Sequence, residues 1–309
     1  MRLFAMIVTL MLAWPTAAGA QVNAEVARKV DELTDPETEV RIKAARALGN
    51  IGKDAEPAIP ALVKTLADKE SEVRVAAAFA LGQLGPLAKK AAPDVAALLK
   101  DKVVKVRLIA AQALAEIKSS DEKVIVALMA AVKDEQAGPY AINALGHIGP
   151  DAKQALPVLA ESLEKASLRQ HAAWALGKMG AAALPTLGKA VKSKNVDVRI
   201  DATLGLALVG PEGVPFLEEA LRDSEILVRM NAANSLGSMG EGAKKAVPAL
   251  IETLKDKEPD VRARAARALG QIGPAAKDAL PALRGMTKDA STVVSDSVTL
   301  AIARIEAKQ

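Results

Sequence analysis

The stretch VRVAAAFALGQLG, Val73–Gly85, returns 188 residues further on as VRARAARALGQIG, Val261–Gly273. The two copies differ only at Val75 against Ala263, Ala76 against Arg264, Phe79 against Arg267 and Leu84 against Ile272. A helix that keeps its small and aliphatic letters while exchanging Phe for Arg is holding a buried side constant and leaving the other side free. With the Gly of Leu-Gly as column zero, the motif recurs at Gly49, Gly82, Ala115, Gly146, Gly177, Ala207, Gly237, Gly270 and Ala303, in steps of 30 to 33 residues. Self-similarity at this period predicts a solenoid, in which each unit buries its apolar side against its neighbours.

Each unit reads as two helices. Pro60, Pro93, Pro157, Pro185, Pro215, Pro248 and Pro281 stand where a first helix begins, in a turn whose N–H groups have no partner to lose. Gly52, Gly85, Gly149, Gly180, Gly210, Gly240 and Gly273 stand where the second helix must end, a position that favours a left-handed residue. At 100° per residue, columns −9, −5, −2, −1 and +2 of the second helix form the buried stripe, and columns −7, −6, −3 and +1 face outward. The fold expected is an all-α, right-handed α-solenoid of about nine antiparallel helix pairs, a single domain over residues 21–309. Column −8 holds Arg41, Arg74, Arg107, Arg169, Arg199, Arg229 and Arg262, and column −14 holds Asp35, Asp68, Asp101, Asp223, Asp256 and Asp289. Arg on the flank of a buried stripe reads as a structural ladder to turn carboxylates rather than as a phosphate track; as exposed pairs these contacts give about 0–1 kcal/mol each.

Composition agrees with closely packed helices: half of the residues are apolar and 2 % aromatic. The first twenty residues carry Arg2, an apolar run from Leu3 to Trp14, Pro15 and then Ala18-Gly19-Ala20 before Gln21, the layout of a secretory signal peptide. Twelve apolar residues rise roughly 18 Å as a helix, short of a hydrocarbon core about 30 Å thick. Residues 1–20 are therefore expected to be removed, with no membrane span left and a secreted or periplasmic location. The formal charge of +4, or +3 without Arg2, is too small to indicate a nucleic-acid partner. There is no cysteine and there are two histidines, so no metal-ligand spacing, phosphate loop or nucleophile elbow appears; no cofactor and no catalytic residue is expected.

The unit D-x-x-x-x-V-R-x-x-A-A-x-A-L-G-x-I-G followed by P-x-L resembles the short HEAT-like repeats named after the phycobilisome lyases, over all of residues 21–309. The resemblance implies second helices that line a concave, protein-binding surface. Two enzyme groups share such arrays. Helical-repeat deoxyhypusine hydroxylases bind iron through His-Glu pairs, whereas His147 precedes Ile148 and His171 precedes Ala172. Bilin lyase subunits offer no short signature that matches here.

What remains is the outward arc. Phe79, Tyr140, Trp174 and Phe216 are the aromatics after residue 20. Columns −6, −3 and +1 of units four and five bring Tyr140, Asn143 and His147 beside His171, Trp174 and Lys178. Aromatic anchors with polar neighbours are the usual makings of a binding hot spot. The alternative is that these side chains fill a bend, because units four and five lose two residues in the turn before the second helix. Arg264 and Arg267 make the same columns basic in unit eight, which suits an acidic protein segment or an anionic polysaccharide. The function expected is an exported, non-catalytic scaffold that holds a protein partner on the concave face. Its competitors are a non-catalytic subunit of an exported enzyme and, more remotely, a lyase-like or otherwise unrecognised enzyme.

Overall fold

The computed structural model describes residues 17–307, so most of the expected signal peptide, residues 1–16, lies outside the described residues. The first helix, Ala17–Glu32, runs through the expected cleavage point. No described helix is long and apolar enough to cross a membrane.

Among the described residues the chain forms nine helix pairs stacked as a right-handed α-solenoid. The second helices are Thr38–Ile51, Ser71–Leu84, Val104–Ile117, Gly138–Ile148, Arg169–Lys178, Val196–Val209, Ile226–Ser238, Pro259–Ile272 and Thr292–Glu306. Most first helices after that of unit one are short, as in Ile59–Thr65 and Leu280–Gly285, too short to persist alone in water. Packing holds them: in the Pro-x-Leu starts, Leu62, Leu159, Leu187, Leu217, Leu250 and Leu283 are fully buried. The seven prolines sit in the first helical turn as expected. All seven predicted glycines have positive φ. In unit three Lys118 takes that place in the left-handed helical region, and the chain passes to the next first helix without the 3-10 turn that follows each glycine.

Columns −9, −5, −2, −1 and +2 are the buried stripe, but the buried side is wider than one stripe. Column −7, expected to face outward, buries Ile42, Val75 and Ala263, and column −4 buries Ala45, Ala78, Ala111 and Ala266. A helix inside an array has its own partner beneath it and a second helix on each side, so beyond its first turn the solvent is left mainly columns −3 and +1 and parts of −6 and −7. Column zero explains the small residues. A Cβ on Gly49, Gly82 or Gly270 would lie 2.8–2.9 Å from the Cα of Ala80, Ala113 or Ala301 in the next unit. Adjacent second helices are thus in backbone contact, and their outward columns form one continuous face.

Candidate functional site

The face is positioned by the arginine ladder. Arg41, Arg74, Arg199, Arg229 and Arg262 each hold the Asp of the following unit, Asp68, Asp101, Asp223, Asp256 and Asp289, through two parallel N–H···O bonds. The same guanidinium donates from Nη1 to carbonyls of its own turn, as Arg229 does to Asp223 and Ser224. Each carboxylate in turn accepts the backbone N–H two residues on, which fixes the entry to its helix. These pairs are enclosed, with Arg229 and Asp256 side chains 7 % and 13 % exposed, so they are not the exposed pairs expected, and removing one partner would leave the other charge buried and unpaired. Burial pushes the Asp256 carboxyl up, but the hydrogen bonds from Arg229 and Glu258 N–H and the Arg229 charge more than offset this and hold it below the usual range.

The ladder fails at the middle of the array. Arg107 Nε still pairs with Asp134 Oδ2 at 2.9 Å but without the aligned two-bond geometry of the other rungs, while in the shorter turn Asp134 Oδ1 accepts the N–H groups of both Gln136 and Ala137. Unit four has Gly138 in place of the arginine, and a Cβ there would meet the Val132 carbonyl oxygen at 2.6 Å. In unit five Arg169 donates to Leu163 O and to Asp197, since Ser193 stands where the ladder Asp would be.

At that same break the predicted middle cluster comes together. His171 Nδ1–H donates to Asn143 Oδ1 at 3.0 Å, and His147 Nδ1–H donates to the Asn143 carbonyl at 2.9 Å. The rings of His147 and Trp174 lie 5.0 Å apart, and Lys178 Nζ is 5.8 Å from the Trp174 ring, within cation–π range. Trp174 is half-buried; its indole occupies the space that a side chain at Gly146 would need. Tyr140 is half-buried and packs against the core. Five predicted residues, Asn143, His147, His171, Trp174 and Lys178, are thus joined across the junction that lacks a ladder pair.

Phe79 stands apart. It is 41 % exposed beside a groove of about 760 Å3 between units two and three, with Gln83, Ile109, Gln112 and Glu116 along its walls. The groove is open because Gln112 occupies the column that Trp174 fills in unit five. In unit eight Arg267 donates to Ser297 Oγ at 3.0 Å, and Arg264 reaches Asn234 Oδ1 at 3.5 Å, so both basic side chains are tied to neighbouring units.

The described residues contain no group of three His, Cys, Asp or Glu side chains placed to hold a metal ion. HEAT repeats match residues 27–114, 59–140, 139–207, 184–244 and 214–303, which together span nearly the whole chain. The chain belongs to the HEAT-repeat family. No curated protein matches it. Among solved structures this HEAT array is similar to Kap121p, with a TM-score of 0.61 and 15 % identity over 92 % of this chain and 37 % of that one. It is similar to Kap95p in its structure with RanGDP, with a TM-score of 0.64 and 13 % identity over 93 % of this chain and 47 % of that one. The chain thus spans less than half of either karyopherin. The CpcE–CpcF phycocyanin lyase from Nostoc matches 48 % of this chain and 98 % of its own at 25 % identity, with a TM-score of 0.43.

Three features of this HEAT face were not read from sequence. Asp134 is a ladder carboxylate two positions away from column −14. Leu204 and Leu208 are exposed in unit six, in the columns of Trp174 and Lys178, with Leu208 lying over Gly177. Asp201, in column −6 of the same helix, is buried and makes no hydrogen bond or ion pair among the described residues. Desolvation raises its carboxyl above the usual range, against the opposing pull of Arg169 and with the help of Asp197. Columns −3 and +1 being solvent-facing is enough to flag the two leucines; nothing local distinguishes Asp201 from a solvated acid.

Proposed function

We propose that the protein is an exported, non-catalytic scaffold that holds a protein partner across the concave face formed by its second helices. One observation carries the reading: Phe79, Leu204, Leu208 and Leu300 are large apolar side chains left 41 to 48 % exposed in the solvent columns of that face. Such side chains cost solubility on a monomer and gain when a partner covers them. The open groove beside Phe79 and the Leu204–Leu208 pair supply two anchoring points on either side of the Trp174 junction. The karyopherin likeness supports the fold of such a scaffold and nothing about its cargo. Export rests on the residue pattern of the first twenty positions, with a mature chain that begins at Gln21.

The test is a paired capture. The tagged full-length chain is expressed in its native cell, its intact mass after export is measured, and the bound proteins are compared between the unaltered chain and Phe79→Glu with Leu204→Glu. The expected result is a chain that starts at Gln21 and one stoichiometric protein that is lost from the double variant while the helical melt is unchanged. An identical set of captured proteins from both chains would remove the face from the binding reading.

A further inference from the structure

We infer that the cavity floored by Asp201 is a socket for one basic side chain of the docking protein, a lysine ammonium or an arginine guanidinium. The inference deepens the protein-binding reading and rests on it. At each intact junction one arginine meets one aspartate. Between units five and six the count differs. Ser193 offers no charge, and Arg169 turns to Asp197, whose side chain is 70 % exposed, at 3.1 Å. Asp201, one helical turn beyond Asp197, is only 7 % exposed and has no partner. Two carboxylates therefore share one guanidinium around a cavity of about 350 Å3, lined by Ser167, Arg169, Gln170, His171, Asp197 and Asp201. The cavity is one positive charge short.

A carboxylate whose oxygens reach solvent only through this cavity and which has no protein partner is partly desolvated, and that cost falls when a cation enters with its own hydrogen bonds. An anion would face two carboxylates, so the vacancy is selective in sign. The volume lies at the low end of the range for small-ligand pockets, which suits the end of a single side chain. Metal chemistry is poorly served, since His171 Nδ1 is already committed to Asn143 and no third ligand joins Asp197 and Asp201. Position adds the link to a protein partner: Asp201, Leu204 and Leu208 fall at i, i+3 and i+7 of one helix, so a basic side chain in the socket sets its own chain against the two exposed leucines.

Acetyl-Gly-Arg-Gly-amide and acetyl-Gly-Lys-Gly-amide serve as probes, with acetyl-Gly-Gln-Gly-amide as the neutral control, titrated into the full chain and followed by amide NMR shifts. Saturable shifts at His171 and Asp201 are expected with at least one basic peptide and not with the Gln peptide. Asp201→Asn, which keeps the shape, should weaken the basic peptide by at least about tenfold, as loss of one member of a buried charge pair does. The same variant should melt at or above the unaltered chain at pH 7, because it removes an unpaired charge. No saturable shift with either basic peptide, equal binding by Asp201→Asn, or a markedly lower melt of that variant would each overturn the socket. Because the peptides report the cavity without any partner, their failure while paired capture succeeds removes the socket alone. Capture that fails while the peptides bind removes the partner reading alone.

Discussion

At Gly146 the absence of one methyl group decides where Trp174 can lie. A Cβ there would come 2.4 Å from the indole Cζ3 and 3.0 Å from the Ala175 Cα, so both a ring and a backbone oppose it. Gly146→Ala should therefore cost about 1–3 kcal/mol, the range for overpacking. Trp174→Ala, which removes a half-buried ring, should cost about 1–2 kcal/mol, below the range for a fully buried aromatic. The two are coupled: with Trp174 already absent, the cost of Gly146→Ala should fall to less than half, the remainder being the Ala175 contact. Denaturant melts of the four chains in this cycle check it, and strict additivity would mean that the ring does not occupy that space. The sequence alone brings His147, His171 and Trp174 into the outward columns, and they are there. It does not show that the indole lies in a neighbour's glycine notch, because that depends on the offset between units, and two residues missing from a turn change that offset without changing any column letter.

Between elements, the enclosed arginine ladder joins each turn to the next. Removing one cation leaves a carboxylate without its partner, so Arg229→Met should cost about 3 kcal/mol at pH 7. The pH dependence follows from the direction of the shifts. Asp68, Asp101, Asp134, Asp223, Asp256 and Asp289 all titrate below the usual aspartate range, whose centre is about 3.9. Groups depressed on folding contribute their full stability above the unfolded value and lose it as pH falls through the folded one. Asp201, raised by burial, acts in the opposite sense and lowers stability at neutral pH, but it is one group against six. The melting temperature should thus hold from about pH 7 to 5 and drop below about pH 4, and the deficit of Arg229→Met should shrink over the same acid range. A deficit as large at pH 2 as at pH 7 would assign it to lost packing of the arginine stem instead. The two ladder columns were legible as a fixed spacing of Arg and Asp. Their strength was not, since a single helix places column −8 on a flank, and only the next unit's turn encloses it.

An array in which each unit touches only its neighbours is as strong as its weakest junction, and here the weakest is the fourth with the fifth. No ladder pair crosses it: Gly138 has no room for a side chain, and Lys165 stands near the place of the missing acceptor. The cluster of Asn143, His147, His171, Trp174 and Lys178 joins the two units from the opposite, solvent-facing side, with contacts that are half-exposed where the ladder's are enclosed. Native-state hydrogen exchange should therefore show weaker protection in Gly138–Ile148 and Arg169–Lys178 than in the interior helices Ser71–Leu84 and Ile226–Ser238. The next junction can be repaired where this one cannot. Ser193 already accepts the Asn195 N–H as the ladder carboxylates accept theirs, and its carbonyl already receives Arg199, so the turn is in place and what is missing is the charge that would draw Arg169 Nε from the Leu163 carbonyl. Ser193→Asp should draw Arg169 into a two-bond pair, release Asp197 and raise stability by about 0.5–2 kcal/mol, with protection rising on both sides of the new pair. Uniform protection across units two to eight, or no gain from Ser193→Asp, would mean that the aromatic side of the junction already equals a ladder rung. If protection is low as expected, the array bends most easily directly beneath Trp174, and a partner that needs a different curvature can obtain it there without breaking a single arginine pair.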